Sequence, residues 1–379
     1  MCVPEIGAKD IGAIVDFARA HAVDFAVVAP DDPLALGCVD RLHEAGIPCF
    51  GPEAKAARIE ASKVFAKNLM QKYNIPTARY EVFDDPARAL AYLRALSSFP
   101  VVVKADGLAL GKGVVVAATV EEAEKAVREM MEDHKFGSSG STVVIEECMV
   151  GPEVTVLAFC DGEHLVPMLS SQDHKRAYDG NQGPNTGGMG AFCPSPNYTP
   201  DIAARCEKEI FQPTVAALQA EGRPFKGVIY FGLMLTADGP KVVEYNARFG
   251  DPETQPILSM LDTDLMDIFQ ACVDGTLDQV DVKWKPGAAC CIVLASGGYP
   301  VEYKKGYPIS GLEEAGKSAV VFHAGTKKAD NGDILTNGGR VLGVTATGDT
   351  LPQAIANAYA AAKPISFQDM HFRTDIGKV

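Results

Sequence analysis

With 379 residues, the chain is long enough for two or three domains that each bury a core. Its 47% hydrophobic and 22% charged residues are typical of a globular protein, and its net charge of −14 argues against the basic footprint of a nucleic-acid-binding protein. The ten cysteines are scattered, and neither a signal peptide nor an apolar run of membrane length is visible. We therefore expect a cytoplasmic protein with reduced thiols and no nucleic-acid or membrane partner.

The N-terminal segment alternates predicted helices and strands. Asp10 can cap a helix over 11–18, a buried strand is predicted over 25–29, a helix over 34–43 and a second strand over 48–50. This alternation favours a parallel sheet. Two strands are nevertheless too few for a stable open sheet of that kind.

A glycine-rich loop lies between the predicted strands 101–104 and 114–118. It is not a P-loop, because three residues rather than four separate the first two glycines and a strand, not a helix, follows. A plain β-hairpin is the simpler interpretation of the loop alone. It also suits a flap whose backbone N–H groups close over a triphosphate. The flap residues expected at ATP are Gly107, Gly111, Lys112 and Gly113.

Two lysines favour the flap interpretation. Lys104 ends the strand that enters the loop, and Lys63 lies on the helix that begins near residue 61. Each lysine alone is more simply a solvated surface residue. Together they supply point charges for the phosphates of a nucleotide. The next strand, 142–146, ends in two acids and a hinge-like glycine, which is also what a solvated edge strand would show.

A long loop without periodicity covers residues 170–190. Its cluster Asp173, His174, Lys175 and Arg176 is wrong for a passive linker, because loops of this length are usually functional or disordered. Lys175 and Arg176 can pair with a phosphate or carboxylate. His174 alone is as readily explained as a hydrogen-bonding loop residue.

The stretch from Lys241 to Met260 carries the strongest chemical signal. In a strand, Glu244, Asn246 and Arg248 project from one face, and three such groups facing a core need partners. A carboxylate and an amide oxygen suit Mg²⁺ or Mn²⁺ rather than zinc, and Arg248 would reach the phosphates that the metal carries. Asp251 is predicted as the N-cap of a following helix, so Asp251 and Glu253 have a purely structural alternative.

The C-terminal portion is predicted to be mostly β, with strands over 288–295, 319–324 and 340–347 and a capped helix that ends at Ala362. A tight turn is the simpler of two interpretations of residues 296–300. We divide the chain into an N-terminal α/β domain (1–61), a central domain (62–283) with a mobile lid over about 75–143, and a β-rich domain (284–379).

Two segments carry a family resemblance. RFGDPETQ at Arg248–Gln255 and NTGGMG at Asn185–Gly190 resemble the glycinamide ribonucleotide synthetase (phosphoribosylamine–glycine ligase) family of ATP-grasp enzymes. The resemblance covers nearly the whole chain. It implies an α/β ATP-grasp fold with an incomplete N-terminal Rossmann-like domain and a small β-rich C-terminal domain. Family members normally begin with a strand and a turn of the type GxGGREH, and some forty such residues are expected before Met1.

The resemblance also implies roles for individual residues. Lys63 and Lys104 would contact the α- and β-phosphates, Glu146 and the backbone at Glu147 and Met149 the adenine, and Glu153 the ribose hydroxyls. Arg248 would stabilise the transferring phosphoryl group. The residues expected to bind glycine and 5-phosphoribosylamine are Asp173, His174, Lys175, Arg176, Asn185, Thr186, Gly187, Gly188, Met189, Asp251, Pro252 and Glu253.

The implied reaction joins glycine to 5-phosphoribosylamine in purine biosynthesis, through glycyl phosphate, with ATP and Mg²⁺ or Mn²⁺. We expect small-molecule partners only and a monomer or weak dimer. Two alternatives remain at this stage: another ATP-grasp carboxylate–amine ligase, which would not be expected to carry both segments, and an ATP-binding protein whose catalysis is impaired.

Overall fold

The computed structural model describes residues 2–109 and 113–378, so Gly111 and Lys112 of the predicted flap lie outside the described residues. It has three units that follow the chain order: a small α/β unit, a larger part built on two antiparallel four-stranded sheets, and a C-terminal β unit.

The N-terminal unit holds a two-stranded parallel sheet. The helix predicted over 34–43 is instead two helices, because Gly37 takes a left-handed backbone conformation (φ 80°) and starts a new helix after it. The predicted strand 25–29 shortens to two residues, and Val27 is 46% exposed rather than buried. The elements are α1 (Ile11–Ala20), β1 (Ala26–Val27), α2 (Asp31–Ala35), α3 (Cys38–Glu44), β2 (Cys49–Phe50) and α4 (Ala54–Ala61).

The next part of the chain forms an outer sheet unit, residues 80–147, with its own hydrophobic core. The strand order places the fourth strand of the unit in the middle of the antiparallel sheet. Thr119 caps the second helix by accepting from Glu122 N, and the Glu122 carboxylate accepts from the Ala118 N–H (2.8 Å). The elements are α5 (Lys63–Lys72), β3 (Tyr80–Phe83), α6 (Pro86–Ala95), β4 (Val101–Ala105), β5 (Val114–Ala117), α7 (Val120–Val127) and β6 (Val143–Glu147), with order β3-β6-β4-β5.

The central sheet faces the outer one across a cavity. The strands Lys226–Thr236 and Gly239–Asn246 pair antiparallel, so that Gly232 lies opposite Glu244 and Tyr230 opposite Asn246. The helical stretch 200–220 has a π-helical segment in its middle. The elements are β7 (Glu153–Asp161), β8 (Leu165–Pro167), β9 (Gln172–Asp173), β10 (Arg176–Tyr178), β11 (Gln182–Asn185), β12 (Gly190–Cys193), α8 (Pro200–Cys206), α9 (Gln212–Ala220), β13 (Lys226–Thr236), β14 (Gly239–Asn246), α10 (Thr254–Ser259) and α11 (Leu265–Asp274), with sheet order β14-β13-β7-β8.

The C-terminal unit is a sheet that also includes β12 and β9, two strands from the central part of the chain. Helix α13 packs on this sheet, and Thr350 caps it by accepting from Gln353 N, as predicted. The described helices include none that is long and apolar enough to cross a membrane. The elements are β15 (Ala288–Ser296), α12 (Leu312–Ala315), β16 (Val320–His323), β17 (Thr326–Lys328), β18 (Ile334–Thr336), β19 (Arg340–Gly348), α13 (Leu351–Ala362) and β20 (Met370–His371), with order β16-β19-β15-β12-β9.

Candidate active site

A cavity of about 1610 Å³ lies between the two four-stranded sheets and reaches the C-terminal unit. It brings together most of the residues singled out from the sequence. Gly107, Gly188, Met189 and Pro252 do not line it. The predicted residues that do line it are Lys63, Lys104, Gly113, Glu146, Glu147, Met149, Glu153, Asp173, His174, Lys175, Arg176, Asn185, Thr186, Gly187, Glu244, Asn246, Arg248, Asp251 and Glu253.

Glu244 and Asn246 share the cavity face of β14, as strand periodicity predicts. The strand opposite places Gly232 and Tyr230 beside them and brings no acidic side chain. Within residues 2–109 and 113–378, no group of three or more His, Cys, Asp or Glu side chains is arranged to hold a metal. The carboxylate–amide pair therefore fits a hard ion whose other ligands are phosphate oxygens and water.

Four cations surround the Glu244 carboxylate. Burial by itself would raise the pKa of Glu244, but the nearby positive charges outweigh burial and lower that pKa. The carboxylate therefore stays ionised, which is the form that binds a metal. The cations are Lys175, Lys104, Lys63 and Arg248.

Arg248 has a buried partner that sequence reasoning missed. Its Nη2 lies 3.1 Å from Oε1 of Glu60, the penultimate residue of α4. The other carboxylate oxygen of Glu60 accepts a hydrogen bond from the Ala247 N–H (2.7 Å). Burial raises the pKa of Glu60 to about 7, against the charge of Arg248. The N-terminal unit thus orients the arginine and the end of β14 at once.

Glu146 forms the centre of a buried ion triad. Lys67 Nζ lies 3.1 Å from one carboxylate oxygen and Lys104 Nζ 3.0 Å from the other, with all three side chains at most 4% exposed. Lys104 also donates to the Val243 carbonyl (3.1 Å) and so ties the outer sheet to β14. Burial lowers the pKa of Lys67 to about 8, which Glu146 opposes. The structure therefore gives the Glu146 carboxylate two lysine partners, and the adenine contact stays a prediction.

The neighbouring acid, Glu147, belongs to the rim of the same pocket. Its carboxylate accepts hydrogen bonds from Arg79 Nε (2.7 Å) and from the Arg79 backbone N–H (3.1 Å). Met149 lines the cavity just beyond β6. Residues at the end of this strand therefore border the cavity, and their backbone contact with adenine stays a prediction.

Asp106 holds the entrance of the glycine loop against the start of α5. Its Oδ1 accepts from Ser62 Oγ (2.9 Å) and Val64 N–H (2.8 Å), while Lys63 Nζ donates to the Gly107 carbonyl (3.3 Å). A Cβ at Gly107 would lie 2.5 Å from Ser139 Oγ, so this close approach requires glycine. Burial lowers the pKa of Lys63.

Acidic side chains gather around Lys175. Lys175 pairs with Glu153, so the carboxylate assigned to ribose by resemblance already has a cationic partner. Glu253 accepts a hydrogen bond from Tyr230 (2.9 Å). Burial raises the pKa of Asp173 to about 7, against the charge of Lys175, and burial also raises the pKa of Glu253.

The long loop is folded rather than irregular over its described length. His174 exchanges backbone hydrogen bonds with the strand opposite, donating to Gly190 O (2.9 Å) and accepting from Met189 N (2.8 Å). Thr186 donates to the Lys175 carbonyl through its N–H (2.7 Å) and its hydroxyl (2.8 Å). Burial, together with Arg373, lowers the pKa of the His174 ring to about 4, so the ring is neutral at neutral pH.

Asp251 does not cap a helix, and that prediction is wrong. Helix α10 begins only at Thr254. The Asp251 carboxylate is engaged elsewhere: Oδ1 accepts from Gln255 Nε2 (2.9 Å) and Oδ2 from Arg340 Nη2 (2.9 Å). The chemical interpretation of Asp251 as part of the site therefore gains support.

Sequence reasoning missed several residues that hold the site together. Lys67 had a usable signal, because it lies four positions after Lys63 on the same helix. The others come from distant segments; Arg340, for example, is 89 positions from Asp251. The missed residues are Glu60, Lys67, Tyr230, Tyr299 and Arg340.

The fold is that of the ATP-grasp enzymes, which place a nucleotide between two antiparallel sheets. A biotin carboxylase from Campylobacter jejuni, solved as a complex with an ATP analogue, superimposes with a TM-score of 0.74 over 96% of this chain and 79% of its own. At 14% sequence identity this likeness shows the fold alone.

Within that class, the chain belongs to the phosphoribosylglycinamide synthetase family. Models of its N domain, ATP-grasp (A) domain and C domain match residues 3–60, 61–254 and 289–379. A phosphoribosylamine–glycine ligase from Vibrio vulnificus is 50% identical over 374 residues, 98% of this chain and 87% of the relative. The crystal structure of such a ligase from Thermotoga maritima gives a TM-score of 0.80 at 37% identity, covering 87% of this chain and 82% of its own.

Proposed function

We propose that this protein ligates glycine to 5-phosphoribosylamine with ATP, giving glycinamide ribonucleotide, ADP and phosphate. The relatives that match nearly the whole chain are named for this activity. The observation that carries the proposal is that one cavity collects two groups of residues with different chemistry. We call Lys63, Lys104, Glu146, Glu244, Asn246 and Arg248 the nucleotide half, and Asp173–Arg176, Asn185–Gly187 and Asp251 the acceptor half.

Within residues 2–109 and 113–378, the two lysines of the nucleotide half leave N–H donors without a partner. An ammonium group has three N–H donors, and Lys104 uses two of them on Glu146 and Val243. Lys63 uses one, on the Gly107 carbonyl. The remaining donors point to phosphate oxygens as their partners. Glu244 and Asn246 would hold Mg²⁺ or Mn²⁺, which would neutralise charge on the phosphates.

Two bond changes make up the reaction. First, a glycine carboxylate oxygen attacks the γ-phosphorus of ATP, the bond to the β-phosphate oxygen breaks, and glycyl phosphate and ADP form. Next, the amine nitrogen of phosphoribosylamine attacks the carbonyl carbon, phosphate leaves with its bonding electrons, and the nitrogen loses a proton. Arg248 stabilises charge on the transferring phosphoryl group, so catalysis rests on positioning and electrostatics.

The acceptor half supplies groups of both signs. Asp173 and Asp251 suit the ammonium of glycine, while Lys175 and Arg176 suit a carboxylate or phosphate. We further propose that residues 75–143 act as a lid over the nucleotide, that the protein acts in the cytoplasm on small molecules only, and that it is a monomer or weak dimer.

The decisive experiment measures ADP release with Mg-ATP, glycine and freshly made phosphoribosylamine, omitting each component in turn. Release that requires both co-substrates supports the proposal. Release with glycine and a different amine would indicate another carboxylate–amine ligase. ATP binding without release under any combination would contradict the proposed ligation.

A further inference from the structure

One arginine of the C-terminal unit ties three separate segments of the chain together. Arg340, the first residue of β19, donates from Nη1 to the carbonyls of Gly187 (2.7 Å) and Asp251 (2.9 Å), with Gly188 O at 3.4 Å. Its Nη2 donates to Asp251 Oδ2 (2.9 Å). The side chain is only 21% exposed and borders the cavity. One guanidinium thus fixes both the glycine turn and the carboxylate beside it.

A second C-terminal residue grips the same turn from the other side. The Tyr299 hydroxyl accepts a hydrogen bond from the Gly187 N–H (3.0 Å). Both backbone polar groups of Gly187 are therefore held by the C-terminal unit. The packing is close: a Cβ at Gly187 would lie 3.0 Å from Arg340 Cζ, and one at Gly188 would lie 2.4 Å from Pro252 Cδ. Glycine in this turn allows the close approach.

The C-terminal tail holds the preceding part of the loop in a similar way. Arg373, 1% exposed, donates from Nη1 to the Arg176 carbonyl (3.0 Å), and His371 Nε2 lies 2.8 Å from the Ala177 carbonyl. Backbone carbonyls of the loop 170–190 are therefore bound by side chains that lie more than 150 positions later in the chain. The C-terminal unit therefore adds contacts to those that the loop makes within the central part of the chain.

The hydrogen bonds of Arg340 suit arginine and no other residue. Its planar fork presents several donors in fixed directions, so it can bind two carbonyls and a carboxylate together. A lysine ammonium is a point charge on a flexible stem and cannot match all these directions. In the described part of the chain, none of the Arg340 hydrogen bonds goes to a residue of the nucleotide half.

We infer that Arg340 is a positioning residue that builds the acceptor half of the site, fixing the Gly187–Gly188 turn and the Asp251 carboxylate for glycine and phosphoribosylamine. The inference rests on the proposed function. According to this inference, binding of glycine and phosphoribosylamine depends on the C-terminal unit, whereas nucleotide binding is independent of it. A misplacement of about 1 Å in such a group is enough to cost about a hundredfold in rate.

The test compares Arg340→Ala and Arg340→Lys with the wild type. For Arg340→Ala we expect kcat/KM for glycine and phosphoribosylamine to fall about a hundredfold, with ATP affinity unchanged within about twofold. Arg340→Lys should recover only part of the loss. ATP affinity is measured by equilibrium titration, which needs no turnover. A purely structural role would instead weaken both halves together.

Arg205→Ala is the matched control. Arg205 also binds a carboxylate, Glu209 (3.2 Å), and a carbonyl, Asp238 (3.1 Å), but it lies on α8 and does not line the cavity. It should leave all kinetic constants near wild type. Asp251→Asn combined with Arg340→Ala should cost less than the sum of the two single losses, because both act on one contact.

The following results would overturn the inference or test it by another variant. Equal losses of ATP affinity and acceptor kcat/KM, or unchanged acceptor kcat/KM in Arg340→Ala, would overturn the inference. If Arg340→Ala does not fold, Arg340→Lys and Asp251→Asn carry the same test. Wild-type turnover that requires both co-substrates establishes the proposed function before any variant is made, so a later failure concerns Arg340 alone. Wild-type protein without such turnover overturns both.

Discussion

The two halves of the cavity are built by different means. In the nucleotide half, side chains on regular strands and helices form ion pairs with one another, as Lys67, Lys104 and Glu146 do with at most 4% exposure. In the acceptor half, the groups that are held are backbone carbonyls of a loop, and Arg340 holds them from a different unit. The first half is held by contacts among the N-terminal, outer and central parts of the chain, whereas the second also needs the C-terminal unit.

Because of this difference, we expect substitutions in the two halves to have different effects, one on the stability of the fold and the other on the binding of the co-substrates. A buried ion triad that loses its anion leaves two uncompensated charges, so the whole fold suffers. A loop that loses a tether keeps its backbone bonds to the neighbouring strand, such as that between His174 and Gly190, and loses only its placement. Substitutions in the nucleotide half should therefore lower stability and ATP binding, and those in the acceptor half should raise the KM of the co-substrates.

The largest effect is expected for Glu146→Gln. The change leaves Lys67 and Lys104 buried without an anion, which should lower the free energy of unfolding by about 3–5 kcal/mol. Urea unfolding measures the loss. Glu147→Gln is the control, because its partner Arg79 is 89% exposed, and it should leave the unfolding midpoint nearly unchanged. Equal losses of unfolding free energy in the two variants would show that the buried triad contributes no more to stability than the exposed Glu147–Arg79 pair.

Next in size is Glu244→Gln, which removes the anionic oxygen of the proposed metal pair. We expect ADP formation to fall about 10²- to 10³-fold, since charge neutralisation at the phosphates is lost. Mn²⁺ binding in the presence of ADP, followed by electron paramagnetic resonance, should weaken in parallel. Asp238→Asn, in the exposed turn of the same β-hairpin, serves as the control. Unchanged Mn²⁺ binding would refute the metal assignment.

A smaller loss, about tenfold in kcat, is expected for Glu60→Gln, a size typical for an outer partner of an active-site group. The pKa of Glu60 is raised to about 7, so wild-type protein loses the Arg248 ion pair as the pH falls below that value. Activity should then decline on the acid side, and Glu60→Gln should remove that decline.

The measurement is kcat between about pH 6 and 8.5. Glu53→Gln, at the start of the same helix, should keep the wild-type profile. An acid limb that persists unchanged in Glu60→Gln would assign it to another group, such as Asp173, whose pKa is also raised to about 7 by burial.

The smallest effect is expected for Tyr299→Phe. It removes one hydrogen bond to Gly187, worth about 0.5–1 kcal/mol, so the KM for the co-substrates should rise about two- to fivefold while that for ATP stays constant. Steady-state kinetics with each substrate varied measures it. Tyr303→Phe changes the neighbouring ring, 6.1 Å away, and is the control. A rise in the KM for ATP alone would contradict the assignment of Tyr299 to the acceptor half.

What the sequence predicts well is local in origin. Glu244, Asn246 and Arg248 were expected on one face because strand periodicity depends only on neighbouring residues. The N-caps at Thr119 and Thr350, whose hydroxyls accept from the backbone N–H three residues on, also follow from the local sequence. Local rules fail where a residue has two possible uses. Asp251 fits an N-cap pattern, but its carboxylate binds Arg340 and Gln255 instead.

The remaining parts of the site depend on tertiary contacts that no local pattern records. Glu60 meets Arg248 and Arg340 meets Gly187 only after the units have packed together. The break at Gly37 was missed for a related reason, since the apolar spacing continues through it while its backbone turns left-handed. A single sequence therefore readily identifies the side chains suited to catalysis or binding. It identifies less readily the residues that position those side chains.

The separate core of the outer sheet unit has a consequence for how the molecule opens. That core includes Leu93, Val103, Val127 and Ile145, and the buried contact of Lys104 with Val243 joins the unit to the central sheet. Such a region can unfold as its own cooperative segment, at a lower free energy than global unfolding. Amide hydrogen exchange should thus show residues 80–147 exchanging as one group. A nucleotide held between both sheets would slow exchange in the two together, since it binds only when they are assembled.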